Sequence, residues 1–242
     1  MKVVGIIPAR YRSSRFPGKP LHPILEKPLV IWVCERAEQA LGKENVYVAT
    51  DDERIKKVVE ENGYNVVMTS SDHLTGTDRL AEVATKLEAD VYVNIQGDEP
   101  MIDPDNILEV VELKKKYPQK IINCMATLLH TEDPTSPNIP KVVCDQNNHL
   151  LYMSRSAVPG NKKGEYDPVD FLKQICIYGF SKEELLLFRD HPQKTPLELH
   201  EDIEILRFLE LGRSILMHKV AAGSLAVDVP EDVKRVEDAL SN

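Results

Sequence analysis

The sequence predicts an α/β fold with a mostly parallel central sheet. Three observations support this prediction: strand and helix patterns alternate from residue 2 to residue 68, the chain has 242 residues, and no repeat, linker or low-complexity tract interrupts it. Strands that alternate with helices pair in parallel through right-handed crossovers. A chain of this length accommodates one such domain, with a small inserted lobe that we expect near residues 125–180.

The elements of the N-terminal half follow from periodicity and from turn residues. Continuous apolar runs indicate strands, apolar residues three or four positions apart indicate helices, and Gly or Asp marks their ends. We predict, in order, strand 2–7, helix 24–41, strand 45–50, a helix from Asp51-Asp52 to Glu61, strand 65–68, a helix to Leu87 with Thr77 as its N-cap, and strand 90–95.

The C-terminal half follows from the same signals. We predict helix 103–117, strand 121–129, a hairpin of strands 141–144 and 150–153, strand 174–180, helix 182–188, one long helix 196–211, strand 214–220, and a terminal helix with Asp228 as its cap and Pro230 in its first turn. The polar segment 160–168 is predicted to be a mobile or subunit-contacting loop.

Composition limits the class of function. A net charge of −9 argues against a protein that covers nucleic acid, because such proteins present a basic face. No apolar run approaches the roughly eighteen residues of a membrane span, and no signal peptide precedes the first strand, so we expect a cytoplasmic enzyme without a membrane partner. The four cysteines lack CxxC spacing, which predicts reduced thiols rather than a zinc site or disulfides.

A cationic loop follows the first strand. It combines Arg10, Arg12, Arg15 and Lys19 with Ser, Gly and Pro at turn positions. In an open α/β sheet the carboxyl ends of the strands bind ligands, so we expect a polyanion here. The alternative is a solvated basic surface loop.

The same loop is not a P-loop. Ser13 stands where that motif requires its first glycine, and Pro20 stands where it requires Ser or Thr. Phosphate binding would therefore depend on side chains, with Arg10 and Arg15 as planar donors and Lys19 as a point charge.

Carboxylates follow other predicted elements. Asp98 ends strand 90–95, braced by Gly97 and Pro100, and is a candidate Mg²⁺ ligand because Mg²⁺ prefers one or two carboxylates together with phosphate oxygens. A purely structural turn is the alternative. Asp228 has the alternative role of a helix cap, and the acids of helix 196–211 are explained equally well by the helix dipole.

Seven segments together resemble the 3-deoxy-manno-octulosonate cytidylyltransferases, or CMP-Kdo synthetases. They keep order and spacing along nearly the whole chain: Ile7-Pro8-Ala9-Arg10 with Ser13-Ser14-Arg15-Phe16-Pro17-Gly18-Lys19-Pro20, Ala49-Thr50-Asp51, Gly76-Thr77-Asp78-Arg79, Gln96-Gly97-Asp98-Glu99-Pro100, Ser154-Arg155, Ile177-Tyr178-Gly179 and Val227-Asp228. Each motif alone is weak. The resemblance implies a Rossmann-like nucleotidyltransferase fold, a homodimer that uses the small lobe, and a Mg²⁺-dependent reaction of CTP with an acidic sugar.

The resemblance also implies residue roles. It assigns CTP binding to Arg10, Ser13, Arg15, Lys19, Arg79 and Gln96. It assigns Mg²⁺ to Asp98 and Asp228, which with Arg10 and Lys19 form the implied catalytic set. It assigns the sugar side to Arg155, Gln174, Tyr178, Glu201 and Glu204.

The chain departs from the family pattern at three positions. Gln174 replaces a usual histidine, Ile205 replaces a usual glutamine, and Val229 replaces the threonine of an Asp-Thr-Pro motif. Because an isoleucine cannot hydrogen-bond a sugar hydroxyl, the acid can be Kdo or a relative such as an amino-Kdo or a nonulosonic acid.

Two other classes remain open from sequence. A sugar-1-phosphate nucleotidyltransferase usually carries a glycine-rich loop where this chain has Pro8-Ala9-Arg10. A non-catalytic nucleotide-binding relative has less use for both Asp98 and Asp228. A glycosyltransferase is disfavoured, since Asp103-Pro104-Asp105 begins a helix instead of ending a strand.

Overall fold

The computed structural model describes residues 1–13, 15–164, 166–221 and 225–241. Within them the strands are β1 (Val3–Ala9), β2 (Pro23–Ile24), β3 (Lys27–Pro28), β4 (Val46–Thr50), β5 (Asn65–Met68), β6 (Val91–Ile95), β7 (Ile121–Thr127), β8 (Lys141–Cys144), β9 (Leu150–Ser154), β10 (Leu172–Phe180) and β11 (Ile215–Lys219). The α-helices are α1 (Leu29–Leu41), α2 (Glu53–Glu61), α3 (Gly76–Lys86), α4 (Pro104–Lys116), α5 (Lys182–Arg189), α6 (Pro196–Glu201), α7 (Ile205–Glu210) and α8 (Asp232–Leu240).

The central sheet has the strand order β11-β7-β10-β6-β1-β4-β5. All of these strands run parallel except β10, which is antiparallel to both β6 and β7. The β8-β9 hairpin pairs with β10 and extends the sheet outside this order. The predicted α/β fold with a mostly parallel sheet is therefore confirmed.

Helices cover both faces of the sheet. On one face, apolar residues of α1, α2 and α4 pack in a cluster with β1, β4 and β6. On the other face, α3, α5 and α7 pack against alternate residues of the same strands. Strands buried on both faces explain the continuous apolar runs of the sequence. Among the described residues, none of the helices combines the length and apolar character needed to cross a bilayer.

The predicted helix 24–41 begins later than expected. Ile24 lies instead in the short β2-β3 hairpin, whose turn residues Leu25 and Glu26 have positive φ angles of 47° and 66°. Pro28 precedes the helix, which starts at Leu29. The apolar stripe is helical as predicted, but the sequence gives no signal for the hairpin because its turn has neither Gly nor Asn.

The predicted cap of α3 was wrong by two residues. Thr75 caps this helix by accepting a hydrogen bond from Asp78 N at 3.1 Å, while the Asp78 carboxylate accepts one from Thr75 N at 3.0 Å. This reciprocal pair is a capping box. Thr77 lies in the first turn, and its hydroxyl donates a hydrogen bond to Glu204.

The predicted long helix 196–211 is two helices. Asp202 ends α6 in the left-handed region at φ 52°, and α7 begins at Ile205. Side-chain periodicity continues across the break, so the sequence pattern could not reveal it. The break turns the main-chain carbonyls of Glu201 and Asp202 toward Arg155, whose Nε and Nη2 donate to them at 2.5 and 2.9 Å.

The predicted cap of the terminal helix was also wrong. The helix α8 starts at Asp232, and the Asp232 carboxylate accepts hydrogen bonds from Asp228 N at 2.9 Å and Val229 N at 3.1 Å. Asp228 therefore has its main chain fixed by Asp232, while its own carboxylate points to a different partner.

Candidate active site

A cleft of about 280 Å³ opens at the carboxyl edge of the sheet. Its walls are the loop after β1, the segment that enters α3, the turn after β6 and the segment 194–204. Parallel strands bring these loops to one edge, because Ala9 pairs with Thr50 and Ile6 pairs with Asn94 across β1. This is the edge at which the sequence predicted ligand binding.

A separate apolar cluster shapes the cationic loop. Phe16 and Ile24 pack with Val227 and Val236, so the loop after β1 is anchored to the C-terminal segment. Gly18 adopts φ 75° and donates its N–H to the Tyr11 carbonyl at 2.8 Å. A non-glycine residue disfavours this φ, and its Cβ would lie 3.1 Å from the Tyr11 ring. Ser14, part of the predicted motif, lies outside the described residues.

The anchored loop places two cationic side chains beside two aspartates. Lys19 Nζ donates to Asp98 Oδ2 at 2.8 Å and to the Val227 carbonyl at 2.8 Å. Arg15 Nη2 lies 3.1 Å from Asp228 Oδ1. Val227 N donates to the Asp98 carbonyl at 2.9 Å, so the segments that carry the two aspartates are hydrogen-bonded side by side. Residues 130 positions apart in sequence thus meet at one site.

Close main-chain approach holds Asp98 in place. A Cβ at Gly97 would lie 2.7 Å from the Pro8 carbonyl oxygen, so only glycine lets the turn after β6 approach the end of β1. Arg10, exposed at the cleft mouth, and Ser13 and Gln96 also line the cleft.

Arg79 forms part of the cleft wall but is largely buried. Its guanidinium lies 3.2 Å from Asp51 Oδ1 and donates to the Thr69 hydroxyl. Burial lowers the pKa of Arg79, and the Asp51 carboxylate opposes that shift. The structure therefore places Arg79, the predicted nucleotide contact, in the cleft wall with its side chain held by Asp51 and Thr69.

Glu204 joins two walls of the cleft. Its carboxylate accepts hydrogen bonds from the main-chain N–H groups of Gly76 at 3.2 Å and Thr77 at 2.9 Å, and from the Thr77 hydroxyl. A carboxylate at a helix N-terminus is stabilised by the helix dipole. Glu204 thus fixes α3 against the segment that precedes α7.

Two residues predicted for the sugar side bind the protein itself. Glu201 accepts from Ser154 Oγ at 2.7 Å and from Arg155 N at 2.9 Å. Burial raises the pKa of Glu201, but these hydrogen bonds outweigh it, so the net pKa is lowered. Arg155 donates to the carbonyls of Glu201, Asp202 and Pro137, and neither Arg155 nor Glu201 lines the cleft.

Gln174 and Tyr178 lie in a polar network on β10. Gln174 Nε2 donates to Asn123 Oδ1 and to the Tyr178 hydroxyl, both at 3.1 Å. Burial raises the pKa of the Tyr178 phenol well above its ordinary value. Ile205 is buried in the apolar cluster of this face. None of the three lines the cleft, and their predicted roles toward a sugar stay predictions.

Sequence reasoning missed His73, Lys194 and Asp202 as residues of the cleft wall. Lys194 forms an ion pair with Asp202. The pair depends on the break between α6 and α7, which brings Asp202 to Lys194. The sequence around Lys194 has no local pattern that would reveal this contact. His73 lies two residues before the capping box of α3. Its position at a helix N-terminus could have marked it as a residue of the cleft wall.

Glu82 of α3 holds His73 at the cleft wall. His73 Nε2 lies 2.5 Å from Glu82 Oε2, and Lys86 Nζ donates to Glu82 Oε1 at 2.5 Å. Burial raises the pKa of Glu82, but hydrogen bonds from Lys86, Ser70 N and His73 prevail and lower it to about 2. The ionised carboxylate therefore stabilises the folded state.

We expect Glu82→Gln to destabilise the protein at pH 7 by on the order of 1 kcal/mol. Because the folded pKa lies below the unfolded value near 4.3, this contribution is complete above that value and is lost as the pH falls toward about 2. Urea unfolding of both proteins between pH 3 and pH 7 measures it. Glu61→Gln, at an exposed pair with Lys57, is the control. An equal deficit at every pH would contradict the assignment.

Asp98 and Asp228 are suitable ligands for a hard cation. Both donors are carboxylates, and they lie on adjacent segments of the chain. Each carboxylate forms an ion pair with a cation of the loop. Mg²⁺ typically takes one or two protein carboxylates and completes its shell with phosphate and water. Within the described ranges, no cluster of three or more His, Cys, Asp or Glu forms an all-protein metal cage. The donor set therefore fits a magnesium ion shared with a phosphate ligand.

Comparison with known proteins gives one consistent result. A family model described as cytidylyltransferase matches residues 4–215. A 3-deoxy-manno-octulosonate cytidylyltransferase of Syntrophotalea carbinolica is 42% identical over 98% of this chain and 98% of its own length. An 8-amino-3,8-dideoxy-manno-octulosonate cytidylyltransferase of Shewanella baltica is 42% identical over 100% of this chain and 99% of its own.

The fold has a close solved counterpart. The structure of CMP:2-keto-3-deoxy-manno-octonic acid synthetase in complex with CTP superposes with a TM-score of 0.91 at 37% identity. The match covers 100% of this chain and 99% of that one.

Proposed function

Since the chain belongs to the 3-deoxy-manno-octulosonate cytidylyltransferase family, we propose that it transfers CMP from CTP to Kdo or a closely related ulosonic acid, with release of pyrophosphate. One observation carries the proposal. Arg15, Lys19 and Asp98 line one cleft, where Lys19 pairs with Asp98 and Arg15 pairs with Asp228 on the adjacent segment.

The reaction needs positioning and neutralisation of charge more than covalent chemistry from the protein. The anomeric hydroxyl oxygen of the sugar forms a bond to the α-phosphorus and loses its proton to solvent, and the bond from that phosphorus to the bridging oxygen of pyrophosphate breaks. Arg10 and Arg15 neutralise the leaving pyrophosphate. Lys19 uses two of its three N–H donors on Asp98 and Val227, which leaves one for a phosphate oxygen.

We propose that Asp98 and Asp228 hold the Mg²⁺ ion. When bound, such an ion lowers the pKa of the attacking hydroxyl and offsets charge on the α-phosphate. Asp98 keeps its position through Gly97 and the hydrogen bond from Val227 N, and Asp228 keeps its position through Asp232. The two carboxylates therefore need little rearrangement of the main chain to bind a cation.

The identity of the sugar is the finer part of the proposal. The sugars in the names of the two relatives differ at one position, where one sugar has an amino group and the other has a hydroxyl. A site that hydrogen-bonds one of these groups discriminates strongly against an analogue that lacks it. We propose Kdo or 8-amino-Kdo as the acceptor, with a nonulosonic acid as the remaining alternative.

Pyrophosphate release tests the proposal directly. The protein is incubated with Mg²⁺ and CTP, ATP, GTP or UTP, and with Kdo, 8-amino-Kdo or N-acetylneuraminate as the acid. We expect release with CTP, and the highest kcat/KM with one of the two octulosonates. CTP binding without release with any acid would favour the non-catalytic alternative and overturn the proposal.

The homodimer and the cytoplasmic location stay predictions. Light scattering of the purified protein at several concentrations measures its mass in solution and tests the predicted dimer. The dimer would use the lobe near residues 125–180.

A further inference from the structure

Arg15 has two roles that exclude each other, and this conflict rests on the proposed function. In the structure its Nη2 forms an ion pair with Asp228 Oδ1 at 3.1 Å. In the proposed reaction Arg15 binds the triphosphate, and Asp228 binds the cation. One guanidinium beside Asp228 opposes a divalent ion on the same carboxylate, because the two positive charges repel.

Lys19 also pairs with a proposed cation ligand, Asp98, but its ammonium is held in place by a second hydrogen bond. It makes two hydrogen bonds, to Asp98 and to the Val227 carbonyl, and its ammonium has a third donor for phosphate. Its side chain is also much less exposed, at 16%, than that of Arg15, at 61%. Lys19 is therefore held more firmly than Arg15, and Arg15 is the cation whose side chain can leave its aspartate.

The surroundings of Arg15 allow its side chain to move alone. The next residue, Phe16, is buried in the cluster that contains Val227. The main chain of Asp228 is held by Asp232. The ion pair itself is half-exposed, and exposed pairs of this kind contribute only about 0.2–1 kcal/mol. A triphosphate that binds Arg15 bidentately offers a stronger partner.

We propose that Arg15 is a displaceable counter-ion of Asp228, which weakens binding of a divalent cation until a nucleoside triphosphate takes the guanidinium. Nucleotide binding then frees Asp228 and raises its affinity for the cation. By linkage, the cation raises nucleotide affinity by the same factor. Arg15 is thus a positioning residue that makes loading of cation and nucleotide cooperative.

Binding of Mn²⁺ to the nucleotide-free protein tests the proposal without turnover. Free Mn²⁺ is measured by electron paramagnetic resonance for the wild type and for Arg15→Gln. Loss of an exposed pair worth about 0.2–1 kcal/mol corresponds to about 1.4- to 5-fold in affinity. We expect Arg15→Gln to bind Mn²⁺ more tightly by a factor in this range, and a non-hydrolysable CTP analogue to tighten Mn²⁺ binding less than in the wild type.

Arg12→Gln is the matched control, because Arg12 is an exposed cation of the same loop and the substitution removes the same charge. We expect it to leave Mn²⁺ affinity nearly unchanged. Adding Asp228→Asn to Arg15→Gln is expected to abolish the gain. Unchanged affinity in Arg15→Gln, an equal gain in Arg12→Gln, or a gain that survives Asp228→Asn would overturn the proposal. Failure of sugar activation by the wild type would instead overturn the proposed function.

Discussion

Replacement of Asp98 by asparagine is expected to lower turnover by at least about 100-fold while leaving the fold intact. In the wild type Lys19 donates to Asp98 at 2.8 Å. The amide of asparagine has nearly the same size and retains an oxygen that can accept this hydrogen bond. It removes the negative charge that would hold the cation. The main-chain bond from Val227 N to the Asp98 carbonyl is unaffected by the substitution.

Asp103→Asn supplies the matched control for this variant. Asp103 caps α4 by accepting from Asp105 N at 3.0 Å, lies five residues after Asp98, and is exposed. Asn and Asp are nearly equal as N-caps, so the control should keep wild-type turnover and unfolding temperature. Pyrophosphate release and thermal unfolding of both variants measure the two quantities. Turnover of Asp98→Asn near the wild-type rate would remove the metal role from Asp98.

The positions of the loop and of Asp98 were predictable because their signals are local. An apolar run, then cations with Ser, Gly and Pro, marks the carboxyl end of β1, and the parallel order places the turn with Asp98 beside it. The pairing of Lys19 with Asp98 adds only side-chain detail to this picture.

Contacts that depend on distant partners were not predictable. The break at Asp202 gives Arg155 main-chain carbonyls as partners, and no periodicity marks a left-handed residue inside an apolar stripe. The predicted role of Arg155 toward the sugar stays a prediction. Ile205, which departs from the family pattern, lies in an apolar cluster at the start of α7, and its predicted place on the sugar side stays a prediction. Asp228 looked like a cap because Pro230 follows it, although Asp232 supplies the first turn.

Replacement of Arg207 by methionine is expected to destabilise the protein by about 3–5 kcal/mol. Arg207 is fully buried, and its Nε and Nη2 donate to the two Glu198 oxygens at 2.6 and 2.7 Å. Its Nη1 donates to Asp78 Oδ1 at 3.0 Å. Methionine fills much of the space over the Phe188 ring but leaves two buried carboxylates without their cation.

Arg213→Met separates this effect from the general loss of an arginine. Arg213 lies six residues later, and its pair with Glu183 at 3.0 Å is exposed at the surface. Such a pair contributes about 0–1 kcal/mol, so urea unfolding at pH 7 should show a deficit several times smaller than for Arg207→Met. Equal deficits would contradict the proposed role of the buried charges.

The buried ion pairs of Arg207 with Glu198 and Asp78 connect this arginine to the wall of the cleft. Arg207 joins α7 to α6 through Glu198 and to α3 through Asp78, whose capping box forms the first turn of α3. Glu204, just before α7, binds that same turn and lines the cleft. Adding Glu198→Gln to Arg207→Met removes one uncompensated charge, so the double variant should recover part of the lost stability. A double variant less stable than Arg207→Met would mean that packing, rather than the unpaired carboxylates, sets the cost.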